Sequence, residues 1–200
     1  MTETELCNMA LSRFGAERIN DYNDNTETKV SAIHCRLHFV QTAKSLMRSH
    51  FWRFAKHRVA LSRDTATPDF QWSYQFALPS DFLRAITVYT GDSTIDGRPT
   101  NSYELEGQKL LIDDSTCNLR YIRWIEDTAK WDPLFNEVFI LQLAHKLVIP
   151  LGKDATLKED ITRDLMPLMS KVRALDRNES KYIGREDKKP WRDGRYSDVP

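Results

Sequence analysis

Residues 134–149 leave this chain little freedom. Leu134, Phe135, Val138, Phe139, Ile140, Leu141, Leu143, Ala144, Leu147, Val148 and Ile149 put apolar side chains on nearly every side of a helix. Such a helix holds together in water only when other elements cover it all round, so it is the expected centre of the fold. Asp132-Pro133 mark its start: Asp caps free N–H groups, and Pro is tolerated where its missing N–H costs nothing. Pro150 and Gly152 end it. No stretch reaches the ~18 apolar residues of a membrane span.

Three further helices are expected around it. Thr2 and Glu5 have capping-box spacing, Leu6, Met9, Ala10 and Phe14 recur at helical intervals, and Gly15 stands where the helix should stop. Residues 19–28, rich in Asp and Asn, read as a loop. A second helix over about 28–47 carries the stripe Val30, Ile33, Leu37, Val40, Lys44 and Met47, widened by Ala43 and Leu46, which is its expected core face. Thr156 and Glu159 repeat the capping-box spacing and open a last helix with Leu157, Ile161, Leu165, Leu168, Val172 and Leu175 on one face and Pro167 bending it.

Residues 50–86 concentrate the aromatic area: Phe51, Trp52, Phe54, Phe70, Trp72, Tyr74, Phe76 and Phe82. They read as a helix end, a strand near 58–61, a polar turn over 64–69 and a returning strand over 72–78, that is, a hairpin growing from the second helix. Residues 83–89 alternate as a half-buried strand. Residues 91–101 read as a turn or exposed loop, and 103–105 and 109–112 flank Glu106-Gly107-Gln108 as a hairpin. In 118–125, Leu119, Tyr121 and Arg123 face one side and Arg120, Ile122 and Trp124 the other. The expected fold class is therefore α+β: a four-helix bundle (1–57 and 132–180), an inserted small antiparallel β-sheet (58–131) and an extended C-terminal arm (181–200).

The chain has 29 basic and 29 acidic side chains in 200 residues, so there is no global pull toward nucleic acid. Their distribution is uneven. Residues 29–63 contain eight basic groups (Lys29, Arg36, Lys44, Arg48, Arg53, Lys56, Arg58, Arg63) and no Asp or Glu, whereas residues 1–27 hold six carboxylates against two arginines. Opposite local charges suit neighbours meeting face to face, although ordinary intrachain pairs and a solvated helix face account for such a run equally well. Three scattered cysteines suggest neither a zinc site nor a disulfide framework and fit a reducing cytoplasm, and the start lacks the pattern of a signal peptide. His34 and His38 lie one helical turn apart with no third ligand at a recognisable spacing, and read as surface or interface histidines. Asp113-Asp114 and Glu126-Asp127 sit in turn-like stretches. No phosphate loop or G-x-S-x-G context appears, so nothing supports an enzyme, a cofactor or a metal.

The words Phe51-Trp52-Arg53-Phe54-Ala55, Tyr74-x-Phe76-x-Leu78-Pro79-x-Asp81-x-Leu83-Arg84, Tyr103-Glu104-x-Glu106-Gly107, Tyr121-Ile122 and Trp131-Asp132-Pro133-Leu134-Phe135 follow one another in an order that resembles the tail tubular protein A family, the head-to-tail adaptors of short-tailed bacteriophages. The resemblance implies a virion structural protein at the head–tail junction, assembled in the host cytoplasm. There it forms a homo-oligomeric ring, a dodecamer in the family, between the portal protein and the tail nozzle, and DNA passes through its lumen without specific binding and without a membrane. On that analogy Phe51, Trp52 and Phe54, with Leu78, Pro79, Asp81 and Arg84, form a structural signature fixing sheet to bundle. Arg36, Lys44, Arg48, Arg53, Lys56, Arg58 and Arg63 form a basic face toward a neighbouring subunit or the DNA. The tail, with Lys181, Tyr182, Arg185, Lys188, Lys189, Trp191, Arg192, Arg195 and Tyr196, docks on the portal. The competing reading is a nucleic-acid-binding module in which the basic residues of 44–63 interleave with Phe51, Trp52 and Phe54 as a single-strand platform.

Overall fold

A computed structural model describes residues 1–91, 98–100 and 102–178. The portal-docking residues Lys181 to Tyr196 lie outside the described residues. The order of elements is α1 (Glu3–Ser12), α2 (Val30–Ser49), β1 (Lys56–Ala60), β2 (Tyr74–Ala77), β3 (Phe82–Thr90), β4 (Arg98–Thr100), β5 (Glu104–Glu106), β6 (Lys109–Ile112), β7 (Asn118–Arg123), α3 (Pro133–Leu147) and α4 (Ala155–Asn178).

Local chemistry places the helix starts. Thr2 and Glu5 form the reciprocal capping box of α1, and the Asp132 carboxylate accepts from the N–H groups of Leu134 and Phe135 at the head of α3. The expected box at Thr156 does not form as an N-cap: α4 begins at Ala155, which puts Thr156 inside the first turn.

The expected four-helix bundle with one small inserted sheet is not what forms. The fold is mixed, with four helices and two antiparallel sheets among the described residues, ordered β1-β7-β3-β4 and β2-β6-β5. The physical reason lies in α3. Helices α1, α2 and α4 each pack on it, and the core they form takes in residues of β7 and the segment after it. Ile122 and Ile125 are fully integrated into the helical core, with Leu83, Ile86 and Trp124 packed against it. A second core lies on the other face of the four-stranded sheet, where Leu119, Tyr121 and Val88 meet Phe76, Leu110 and Ile112 of the three-stranded sheet. The layers run helices, sheet, sheet. Strand β7 belongs to both cores because its side chains alternate, as expected from its sequence.

Two strand readings need correction. β1 and β2 do not form a hairpin: β1 pairs with β7 and β2 with β6, and the connection between them meets the second sheet through a bridge between Arg63 and Phe76, a hydrogen bond from the Asp64 N–H to the Gln75 carbonyl and an ion pair between Asp64 and Lys109. Strand β3 does not alternate simply. Its register against β7 slips between Phe82 and Arg84 and again between Ala85 and Thr87, so Leu83 and Ile86 are the extra residues. Those two face the helices, whereas Phe82, Ala85 and Val88 face the second sheet. The β5–β6 hairpin forms with Glu106 opposite Lys109, and Gly107 supplies the left-handed backbone its two-residue loop needs, at φ 57°.

The largest correction concerns α2. Its buried face is Ser31, Ala32, Cys35, Phe39, Thr42, Ala43, Leu46 and Met47, so the expected stripe is buried at Ala43, Leu46 and Met47 but not in its N-terminal part. Ala32, Cys35 and Ala43 are small and let α2 approach closely, while Phe39 packs edge-on to Phe139 at 4.9 Å. The first four aliphatic members of the stripe face outward: Val30 is 60% exposed, Ile33 49%, Leu37 65% and Val40 42%.

Candidate functional site

The aromatic words of residues 51–54 build the joint between helices and sheet. Trp52 is buried, donates its indole N–H to the Leu46 carbonyl at 2.9 Å, and meets Phe135 edge-on at 5.1 Å. Phe54 packs on the same Phe135 ring at 5.0 Å. Phe51 lies outside, covered by the Arg84 guanidinium at 4.4 Å from the ring centre. Arg84 also donates to the Arg48 carbonyl, and Arg48 in turn donates to the carbonyl of Leu83. The end of α2 and the start of β3 are thus clasped by two arginines. Asp81 accepts from the Tyr121 hydroxyl at 2.8 Å, and burial together with that bond raises the Tyr121 pKa above its ordinary value. The Pro79 carbonyl accepts from the N–H of Phe82. Leu78 packs on the second core, so it ties the outer sheet rather than the helices.

The seven residues of the expected basic face do not share one face. Arg36 donates to the carbonyls of Asp24 and Glu27 and staples the loop before α2. Lys44 lies over Trp124 at 5.3 Å, and Arg63 over Tyr74 at the same distance. Arg53, Lys56 and Arg58 do come together. With His57 and Arg120 they line an open cleft of about 490 Å³ at the β1 edge of the four-stranded sheet.

Among the described residues no carboxylate lines this cleft, and no ion pair reaches Lys56, Arg58 or Arg120. Arg58 and Arg120 stand directly opposite each other in the β1–β7 ladder, where facing side chains lie about 5 Å apart at their Cβ atoms. Lys56 is two positions along on the same face. Burial lowers the Lys56 pKa from its ordinary value; Arg120 and Arg53 act in the same direction, and Asp176 opposes them. Asp176 itself is engaged at the rim, accepting from the backbone N–H of Arg53 at 3.0 Å and contacting His50 Nε2 at 3.1 Å. Such an arrangement attracts anions. Arg120 is the member that reading along the chain did not gather, because its nearness to Arg58 arises only from strand pairing across sixty-odd residues.

The other candidates are occupied by structure. Asp113 accepts from the Ser73 N–H and hydroxyl, Asp114 from the Thr116 N–H and hydroxyl, and Asp127 caps a short turn at Ala129 and pairs with Lys130. His34 and His38 stack with ring centres 6.2 Å apart beside the outer stripe of α2, and no three His, Cys, Asp or Glu side chains group as metal ligands among the described residues. Cys7 and Cys35, distant in sequence, meet between α1 and α2; their mutual hydrogen bond and burial hold the Cys7 thiol far above its ordinary pKa, so it stays protonated. No helix among the described residues is long and apolar enough to cross a membrane.

No protein-family model and no curated protein sequence matches this chain.

Proposed function

We propose that this protein is a structural head-to-tail adaptor of a short-tailed phage, assembling as a ring between portal and tail nozzle, as the sequence resemblance implies. The observation that carries the reading is the outward stripe of α2. Four aliphatic side chains in a row along about 15 Å of helix are at higher free energy in contact with water than against another protein. The occupant is a second copy of this chain. Helix α2 contributes no carboxylate, and a chain with 29 charges of each sign carries the matching acidic excess elsewhere on its own surface. A contact between unlike patches propagates around a closed ring, as adaptor assembly requires. The C-terminal residues from Lys181 to Tyr196 dock on the portal in this proposal, and the ring lumen passes DNA.

The test is solution mass by light scattering, for the protein alone and mixed with a portal ring. The wild-type chain shifts to a ring or a portal-bound complex. Ile33→Glu with Leu37→Glu keeps the helical circular dichroism and remains a single subunit. A wild-type chain that stays monomeric at every concentration and ignores portal overturns the proposal.

A further inference from the structure

We infer that the cleft formed by Lys56, Arg58 and Arg120 binds backbone phosphates of nucleic acid, without stacking on bases. Arg58 and Arg120 face each other across β1 and β7, and no carboxylate among the described residues lines the cleft they share. Like charges directly opposite in a sheet are destabilising. A neutral residue at either position would relieve the repulsion, and Lys56 on the same face adds to it. An anion between the two guanidinium forks turns the repulsion into two attractions. A phosphate, with oxygens spread to meet more than one fork, matches that pair better than a single carboxylate does.

The aromatic side of the site decides which nucleic-acid contact is made. A single-strand platform needs exposed rings on which bases stack. Trp52 is buried against Phe135, Phe54 packs on the same ring, and Phe51 is covered by Arg84. The basic half of the expected platform is present, but of its stacking half two rings pack inward and the outer one, Phe51, carries the Arg84 guanidinium on its face. Binding is therefore electrostatic, indifferent to sequence and open to a duplex. In a protein whose lumen passes DNA such a contact is weak and salt-dependent, and it is measured on the free subunit independently of ring formation.

The experiment is fluorescence anisotropy with a short labelled duplex and its single strand, with inorganic phosphate and poly-glutamate as competitors. Duplex affinity is expected to equal or exceed that of the single strand and to fall with salt. Arg58→Ala with Arg120→Ala should weaken binding at least about tenfold and lower the salt slope by roughly 1 per cation removed. Removing two cations elsewhere, Lys130→Ala with Lys171→Ala, should leave duplex affinity within about twofold of wild type. Arg120→Gln should raise the unfolding midpoint of the protein without ligand, because the repulsion is gone, while weakening DNA binding. Single strand bound more tightly than duplex, displacement by poly-glutamate as effective as by duplex, inorganic phosphate competing as well as the strand, equal losses in the control pair, or a fall in midpoint for Arg120→Gln each overturns the inference.

Discussion

The two cores on opposite faces of β7 differ in kind. The helical core is dominated by rings: Trp131 meets Phe135 at 5.2 Å and Phe139 at 5.1 Å, both edge-on, and Trp52, Phe54 and Phe39 complete the cluster. Trp52 and Trp131 each donate their indole N–H to the carbonyl six residues earlier, so both large rings are buried without leaving a donor unsatisfied. The inter-sheet core has few members, Phe76, Val88, Leu110, Ile112, Cys117, Leu119 and Tyr121, and only one sheet connects it to the helices. Redundancy separates them. The first core is a mesh in which every other described helix packs on α3, whereas the second is a cap held by one layer of contacts.

Substitutions sharpen that contrast. Phe135→Ala removes the ring shared by Trp52, Phe54 and Trp131, and is expected to cost about 3–5 kcal/mol, with helical and tertiary signals lost together in a single urea transition. Leu110→Ala in the second core is expected to cost about 2–4 kcal/mol. Its effect should be regional: amide exchange accelerates in β2, β5 and β6 while α3 keeps its protection. Uniform acceleration would show that the two cores unfold as one.

The smallest effect depends on pH. Burial lowers the pKa of His50, against the pull of Asp176. An unfolded histidine titrates near about 6.5, so the unfolded chain takes up the proton first on acidification. Stability from this group is fully present above about pH 6.5 and is lost as pH falls toward the lower folded value. His50→Gln keeps a donor for Asp176 but cannot titrate. Its unfolding midpoint should therefore fall less than that of the wild-type chain between about pH 7 and about pH 5. An equal fall in both proteins would show that His50 does not contribute to the acid sensitivity of the helical core.

What was legible in the sequence was what is decided locally. The cap at Asp132, the box at Thr2 and Glu5, the all-round apolarity of α3 and the turn at Gly107 each depend on residues a few positions apart. The face of α2 was legible only at Ala43, Leu46 and Met47; in its first half the larger aliphatic residues drew attention from Ala32 and Cys35, yet small residues let two helices approach closely. The false β1–β2 hairpin carried a warning in its length: residues 61–73 make a connection far longer than hairpin loops of about 2–5 residues. The bundle was overestimated because the share of Ile122 and Ile125 in the helical core appears only once the strands are placed. The cleft was half legible, as Arg53, Lys56 and Arg58 are neighbours in sequence and Arg120 reaches them only through the ladder.

The position of β7 also sets the timing of synthesis. Strand β1 waits for a partner whose pairing begins at Asn118, and α1 and α2 wait for a helix that starts at Pro133. As the chain leaves the ribosome, neither core has its middle until more than half of the residues have emerged. The early segments spend that interval with strand edges unpaired and the rings of 51–54 uncovered. Because loop closure over so many residues must precede the reward of contact, the central sheet is the slow step of folding, and the nascent first half is the form of this protein most prone to associate wrongly.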